Sequence, residues 1–343
     1  MQASPTLLSV IVKTFNEEAN IARTLEAALK EIAGWPAEII VADSASSDRT
    51  VEIALGFPVR IMVLERPGER SCGVGAQLGY QVARGTYLYV IDGDMEMLPG
   101  FLEQAMVRLD ADPSLAGVGG LISEAHIPNA DCARRDASVR RASAQPVEVS
   151  ALHGGGLYRR AAIETVGYLT NPNLHSNEEL ELGLRLHQAG WRLEKLGVSS
   201  VLHYGHKLSD FALHRLRWRS RYCWGLGELM RSAIGQSYFL PLFMMKNTLV
   251  YAAVAGFWVA LLVSIVFGAS PAVLVLAPVA LVAGMAVRKK NFAHGLHGVI
   301  NWHLWALGTL AGLLQRQRDP RAPIAARVAA GCRAVRPDYS TLQ

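Results

Sequence analysis

Tyr87-Leu88-Tyr89-Val90-Ile91-Asp92-Gly93-Asp94 is a short apolar run that stops at two carboxylates flanking a glycine. A continuous apolar run of this length reads as a strand buried on both faces. The same pattern recurs upstream. Leu7-Leu8-Ser9-Val10-Ile11-Val12-Lys13 runs into Thr14, Asn16 and Glu17, and Glu38-Ile39-Ile40-Val41-Ala42 ends at Asp43. Residues 59–64 form a third apolar run, followed by a Gly-rich loop and a helix over about 73–84. Between the first two runs, Ile21, Leu25, Ala28, Leu29 and Ile32 carry the helical period over about 18–32. Ser46 and Ser47 can cap a helix beginning near Asp48. Strand, loop and helix alternate, which predicts an α/β fold built on a mainly parallel, Rossmann-like sheet. In such sheets ligands bind beyond the carboxyl ends of the strands. Thr14, Asn16, Glu17, Asp43, Asp92, Gly93 and Asp94 are therefore expected to converge, although they are far apart in sequence.

The charge is unevenly distributed. The net +5 of the 343 residues splits into −2 for residues 1–246 and +7 for residues 247–343, which hold nine Lys/Arg against two Asp/Glu. The basic balance thus belongs to the end of the chain, and no nucleic-acid groove is expected in the body. At 51% hydrophobic and 18% charged, the composition excludes intrinsic disorder. Cys72, Cys132, Cys223 and Cys332 lie far apart with no C-x-x-C, which argues against a zinc cluster or a disulfide scaffold. No basic segment followed by an apolar one opens the sequence, so no signal peptide is expected and the body is expected in the cytoplasm.

Residues 247–287 are 41 positions without Asp, Glu, Lys, Arg or His. One spanning helix needs about 20 apolar residues, and Gly268-Ala269-Ser270-Pro271 interrupts the run with turn chemistry. Two transmembrane helices, about 248–268 and 271–287, form the expected hairpin. Arg288-Lys289-Lys290 follows at once and is placed on the cytoplasmic side. A further uncharged stretch, 291–315, carries His294, His297, Asn301 and His303. It reads as an interfacial or re-entrant helix over about 292–314, with Trp302 and Trp305 at headgroup depth, or as a third span. The expected organisation is a catalytic domain over 1–235, with a donor half 1–125 and an acceptor half 126–235. A membrane region over 236–315 and a basic cytoplasmic tail over 316–343 complete it. The whole is expected at the inner or plasma membrane.

Asp92-Gly93-Asp94 offers oxygen ligands suited to Mg²⁺ or Mn²⁺, with substrate phosphates completing the shell. Glu178-Glu179 sits at a helix start, where the dipole stabilises anions, and is a candidate general base for a hydroxyl nucleophile. His153-Gly154-Gly155-Gly156 lets backbone approach a ligand closely. Gly190-Trp191 ends the helix that follows the base. His203-Tyr204-Gly205-His206 offers histidines that could complete a metal site.

In their order and spacing, Val10-Ile11-Val12-Lys13-Thr14-Phe15-Asn16-Glu17-Glu18, residues 42–50, Asp92-Gly93-Asp94 and Asn177-Glu178-Glu179-Leu180-Glu181 resemble glycosyltransferase family 2 over about residues 7–230. The resemblance implies a GT-A fold, a nucleotide-sugar donor, a divalent cation and inversion at the anomeric carbon. It places Thr14, Asn16, Glu17 and Asp43 around the nucleoside, Asp92 at the ribose or metal, and Asp94 on the metal bridging the diphosphate. Glu179, beside Glu178, takes the place of the base. His203 resembles the downstream metal histidine, with His206 as the alternative. Gly155, Gly156, Trp191, Arg217, Trp218 and Arg221 are further candidates for acceptor or diphosphate contacts.

Three departures stand out. Glu-Glu replaces the usual Glu-Asp, Ala76-Gln77 stands where Arg-Asn is frequent, and His214-Arg215-Leu216-Arg217-Trp218 has His in place of the Gln of a Gln-x-x-Arg-Trp signature. Arg217, Trp218, Arg221 and Tyr222 could touch diphosphate or acceptor, or the basic segment 215–231 could rest on anionic lipid headgroups. The expected activity is an inverting transfer from a nucleotide-diphosphate sugar, with UDP the first choice, to a hydroxyl of a lipid-linked saccharide in exopolysaccharide or envelope glycan synthesis. Other polysaccharide-assembly membrane proteins would be natural partners. The alternatives are a polyprenyl-phosphate sugar synthase and an inactive membrane scaffold.

Overall fold

The computed structural model describes residues 7–329 except 128–129, 142, 144, 206–207, 269 and 271. The chain divides into two units. Among the described residues, the first comprises residues 7–174, 178–210 and 318–329.

In the first unit the elements run β1 (Leu8–Thr14), α1 (Ile21–Glu31), β2 (Ala37–Asp43), α2 (Thr50–Ala54), β3 (Arg60–Leu64), α3 (Cys72–Tyr80), β4 (Tyr87–Asp92), β5 (Met95–Met97), α4 (Phe101–Ala111), β6 (Leu115–Glu124), α5 (Ala130–Arg140), β7 (Val147–Glu148), β8 (Gly156–Arg159), α6 (Arg160–Val166), α7 (Glu178–Gln188), β9 (Arg192–His203) and, near the end of the chain, β10 (Ala326–Val328). One sheet holds them all in the order β10-β3-β2-β1-β4-β8-β6-β9-β5, with β7 on β9. The stretch β3-β2-β1-β4 is parallel, as the alternation in the sequence requires. Beyond it the sheet is mixed: β8 lies antiparallel to both β4 and β6, while β6 and β9 are parallel. The expected α/β sheet is thus present, parallel over β3-β2-β1-β4 and mixed beyond.

Alternation along β1 explains the two-sided core. Leu8, Val10 and Val12 pack with Ile21 and Leu25 of α1 and Phe101 of α4. Ile11 points the other way, to Val74 and Leu78 of α3 and Leu182 and Leu186 of α7. A Cβ on Gly79 would stand 2.4 Å from Ile11 Cγ2, so α3 rides directly on the strand. The sequence reading did not anticipate β10, which pairs antiparallel with β3 at the sheet edge through Ala326↔Leu64 and Val328↔Met62. Arg318 anchors the incoming segment on Glu69 at 2.6 Å.

The second unit holds residues 175–177 and 211–317. It is helical: α8 (Asp210–Arg219), α9 (Gly225–Ser232), α10 (Phe239–Phe243), α11 (Lys246–Val266), α12 (Val273–Lys289) and α13 (Phe292–Leu313). Glycines let α9 and α13 meet backbone to backbone. A Cβ on Gly227 would lie 1.9 Å from Thr309 O, and one on Gly312 2.1 Å from Trp224 O. Helix α11, with mean hydropathy 2.4, is long and apolar enough to cross a membrane. Val259, Leu262, Val263 and Val266 stand exposed along it. Helix α12 spans 17 residues with Pro278 inside and Arg288 and Lys289 in its last turn. The turn that was read between the expected spans includes residues 269 and 271, outside the described ones. In α13, Trp305 Nε1 donates to Asn301 Oδ1 at 3.1 Å and His303 Nδ1 lies 2.8 Å from Val299 O, while His297 Nε2 meets His214 Nε2 of α8 at 2.8 Å.

Candidate active site

Register brings the strand-end residues together. Thr14 stands opposite Asp43, and Lys13 opposite Asp92. Thr14 Oγ1 donates to Asp43 Oδ2 at 3.0 Å. Asp43 is fully buried and also accepts from the Ser46 amide at 2.8 Å and the Ser46 hydroxyl at 2.5 Å. Asn16, at φ 56°, accepts from the Ser47 amide at 2.8 Å, and its own amide donates to Ser46 Oγ at 2.9 Å. The amides of Glu17 and Glu18 donate to Thr50 Oγ1 and Asp48 Oδ2. The loops after β1 and β2 are therefore zipped into one wall, and both oxygens of Asp43 are engaged in building it.

Gly93 must be glycine. A Cβ there would lie 2.8 Å from Thr14 Cγ2 and 3.1 Å from Glu17 Cγ. Its amide donates to Lys13 O, and its carbonyl accepts from Thr24 Oγ1. The turn carries Asp92 and Asp94 to different partners. Asp92 Oδ1 takes Lys13 Nζ at 2.9 Å. Asp94 Oδ2 faces His203 Nε2 at 3.3 Å. Glu17, beside both, has its pKa raised to about 7, by burial first and then by the charge of Asp94.

His203 ends β9 in register with Glu124 of β6, whose carboxylate meets its Nδ1 at 3.0 Å. Burial lowers the His203 pKa, but Asp94 and Glu124 outweigh it and hold the value at about 9. Among the described residues no group of three or more His, Cys, Asp or Glu forms a metal cage. The donor set still fits an oxygen-loving divalent cation. Asp94 and His203 are an anionic oxygen and an imidazole nitrogen facing each other, and Glu124 orients the histidine from behind. Two protein ligands with the remaining positions left to substrate phosphates is the usual arrangement for Mg²⁺. His206 lies outside the described residues.

Glu178 and Glu179 open α7 and have unequal surroundings. Glu178 is buried, with Lys13 Nζ 3.5 Å from its Oε1. Burial raises its pKa, and Lys13 only partly offsets this. Glu179 is less enclosed. Burial works against its charge too, but His153 Nδ1 at 2.7 Å and the Gly154 amide at 3.1 Å prevail and lower its pKa. Adjacent carboxylates whose pKa values are pushed apart are the mark of divided acid and base roles. The glycine run explains the grip: Gly154 and Gly155 have φ of 60° and 105°, which turn the Gly154 N–H onto Glu179.

Lys13 was not singled out from the sequence. Burial opposes its charge, yet Asp92, Glu178 and Glu179 hold its pKa well above the ordinary value. It ties the β4 turn to the start of α7 across 165 positions of sequence. The available signal was a lysine closing an otherwise apolar strand.

Of the other expected contacts, Gly156 borders the small cavity that Lys13, Glu178 and Glu179 also line. Gly155 and Gly156 are buried against Tyr89 and Tyr158 in the sheet. Trp191 precedes the amino end of β9, the end away from His203, and donates from Nε1 to Thr165 Oγ1 at 3.0 Å. Arg217, Trp218 and Arg221 belong to the second unit. There Arg217 stacks over Tyr222, Arg221 over Trp224, and Trp218 is exposed.

The family described as "Glycosyl transferase family 2" matches residues 9–167. The succinoglycan biosynthesis protein ExoO of Rhizobium meliloti is 31% identical over 121 residues, 33% of this chain and 33% of its own. Dolichyl-phosphate beta-glucosyltransferase of Drosophila melanogaster is 33% identical over 151 residues, 39% of this chain and 46% of its own. Each match thus spans less than half of the relative's length. Among solved structures, a mannosyltransferase of Pyrobaculum calidifontis in complex with GDP-Man and Mn²⁺ superposes with TM-score 0.55 at 19% identity, covering 91% of this chain and 88% of that one. That likeness is one of fold.

Proposed function

We propose, from the match of residues 9–167 to glycosyltransferase family 2, that the chain is an inverting glycosyltransferase moving a sugar from a nucleotide-diphosphate donor to a hydroxyl of a lipid-linked saccharide. The observation that carries this reading is the pairing at the strand ends. The Asp94–His203 pair lies on one side, and the Glu178–Glu179 pair with divided pKa values on the other, with Lys13 joining Asp92 to Glu178.

The zipped wall of Thr14, Asn16, Glu17 and Asp43 is the nucleoside side of the site. Asp94 and His203 would hold a divalent cation, Mn²⁺ or Mg²⁺, which when bound neutralises charge developing on the leaving diphosphate. Glu179 supplies the basic function. The proton of the acceptor hydroxyl leaves, that oxygen bonds to the anomeric carbon, and the bond from this carbon to the donor diphosphate breaks, inverting the centre. Lys13 keeps Asp92 and Glu178 from repelling the diphosphate.

The apolar helix α11 supports membrane attachment. In this reading α11 and α12 form a hairpin, α13 lies at the interface, and the catalytic body faces the cytoplasm beside a lipid-linked acceptor. A second reading, transfer to a polyprenyl phosphate, is favoured by the likeness to the dolichyl-phosphate enzyme. A phosphate acceptor needs no hydroxyl base, so the Glu179 site favours the first.

Calorimetry separates an enzyme from a scaffold that keeps only the fold. UDP-, GDP- or dTDP-sugar is expected to bind the detergent-solubilised full chain in the presence of Mn²⁺, and binding is expected to weaken when Mn²⁺ is chelated. Failure of every donor to bind overturns the enzymatic reading.

A further inference from the structure

A second, half-open pocket lies beside the base. Gly119, Gly120, residues 149–153 and Lys195 bound a cavity of about 340 Å³, within the size range of small-molecule sites. The smaller cavity of about 20 Å³, which Glu179 and Lys13 line, has room for no substrate. Leu152 borders both, and His153 borders the larger one. Glu179 therefore meets the large cavity through the imidazole of His153, whose Nδ1 it holds at 2.7 Å.

The hydrogen-bond direction follows from chemistry. An ionised carboxylate can only accept, so Nδ1 carries the hydrogen and Nε2 keeps its lone pair in the neutral ring. A carboxylate behind one nitrogen fixes the tautomer and raises the basicity of the other. The His153 side chain is two-thirds exposed, at 66%, so the ring is open to a ligand. Lys195, whose side chain makes no ion pair or hydrogen bond among the described residues, supplies a cation in the same wall.

We propose that this cavity is the acceptor site, that it takes a phosphate-bearing saccharide with the anion at Lys195, and that His153 Nε2, backed by Glu179, receives the proton of the attacking hydroxyl. The proposal rests on Glu179 providing the basic function. In the step the O–H bond breaks, its proton passes to Nε2, the oxygen bonds to the anomeric carbon, and the donor's bond to diphosphate breaks. His153 becomes an imidazolium against an ionised Glu179. The groups around the ring are Glu179 and Glu178 from α7, Lys195 from β9, and Lys13 from β1 behind the carboxylates. The two glutamates raise the His153 pKa above its usual value, Glu179 foremost, and Lys195 opposes them. Activity therefore falls as pH drops through that raised pKa, because the protonated ring cannot accept.

The test uses the solubilised full chain with a membrane lipid extract as acceptor source and the donor that binds in calorimetry. His153→Gln is expected to lower kcat/KM by roughly 100-fold or more, to match Glu179→Gln, and to add nothing in the double variant, as for groups acting as a unit. Unchanged donor binding shows that the variants are folded. The acidic limb of wild-type kcat/KM is expected to coincide with the His153 titration followed by NMR of its Cε1–H. Glucose 1-phosphate is expected to shift that resonance in wild type and not in Lys195→Gln, whereas neutral methyl glucoside shifts it in neither.

If Glu179→Gln is inactive while His153→Gln keeps activity within about 5-fold of wild type, a loss far below that of a removed general base, Glu179 acts directly and the proposal falls alone. If both variants remain active, the base reading falls with it. No shift with glucose 1-phosphate, or an equal shift in Lys195→Gln, overturns the assignment of the cavity.

Discussion

Asp94→Asn is expected to lower cation-dependent transfer by roughly 100- to 1,000-fold and to raise the Mn²⁺ concentration needed for half-maximal rate. The substitution keeps the side chain's size and removes its charge. Asp94 Oδ2 then no longer faces His203 Nε2 as an anion, and one of two protein donors to the cation is weakened. The fold is expected to survive, because the Asp94 carbonyl, which accepts from the Tyr204 amide at 2.9 Å, is untouched. Asp92→Asn is expected to cost less, since Asp92 is already paired with Lys13 at 2.9 Å. Initial rates over a Mn²⁺ series with each variant decide the matter. An unchanged Mn²⁺ dependence in Asp94→Asn contradicts the assignment.

Glu181→Ala is expected to destabilise the first unit by about 3–5 kcal/mol, the usual cost of stranding one member of a buried ion pair. Glu181 is 1% exposed and accepts from Arg185 Nε and Nη2 at 2.8 Å each and from the Tyr168 hydroxyl at 2.7 Å. Arg185 in turn donates to the carbonyls of Tyr168 and Leu169, and its guanidinium stacks over the Tyr168 ring at 3.7 Å. Removing the carboxylate leaves a buried guanidinium with carbonyl partners alone. Because this network holds α7 to the segment before it, the same variant is expected to loosen Glu178 and Glu179. The midpoint of urea unfolding, followed by tryptophan fluorescence, measures the effect. A midpoint equal to wild type shows that the pair contributes nothing.

The parallel stretch β3-β2-β1-β4 was legible because its physics is local. Each of Ile11, Ile40, Leu88 and their neighbours sits in a run that is apolar on both faces, and each run ends in a polar residue at the point where the strand ends. The antiparallel entry of β8 was not legible, because a four-residue strand carries no period that specifies its partner. Nor was β10, whose Ala-Arg-Val sequence gains its place only from the edge of β3.

In the candidate site, Asp92, Asp94, His203 and the Glu178–Glu179 pair could be named in advance from the ends of elements. Their partners could not. Lys13 reaches Glu178 across 165 positions, Glu124 reaches His203 across 79, and His153 reaches Glu179 across 26. Such pairings depend on register and on a glycine turn with positive φ, neither of which appears as spacing in a single sequence. The partners of Asp43, placed around the nucleoside by the resemblance, were equally hidden: its two oxygens accept from Thr14 and Ser46.

The most direct measurement is nucleotide release from UDP-, GDP- and dTDP-sugars by the solubilised full chain, with Mn²⁺ and a membrane lipid extract, beside Glu179→Gln and Asp94→Asn. Release from one donor class, coupled to labelling of a lipid-extractable product and lost in both variants, is the expected result. Release that persists in both variants, or no release from any donor, contradicts a transferase built on these residues.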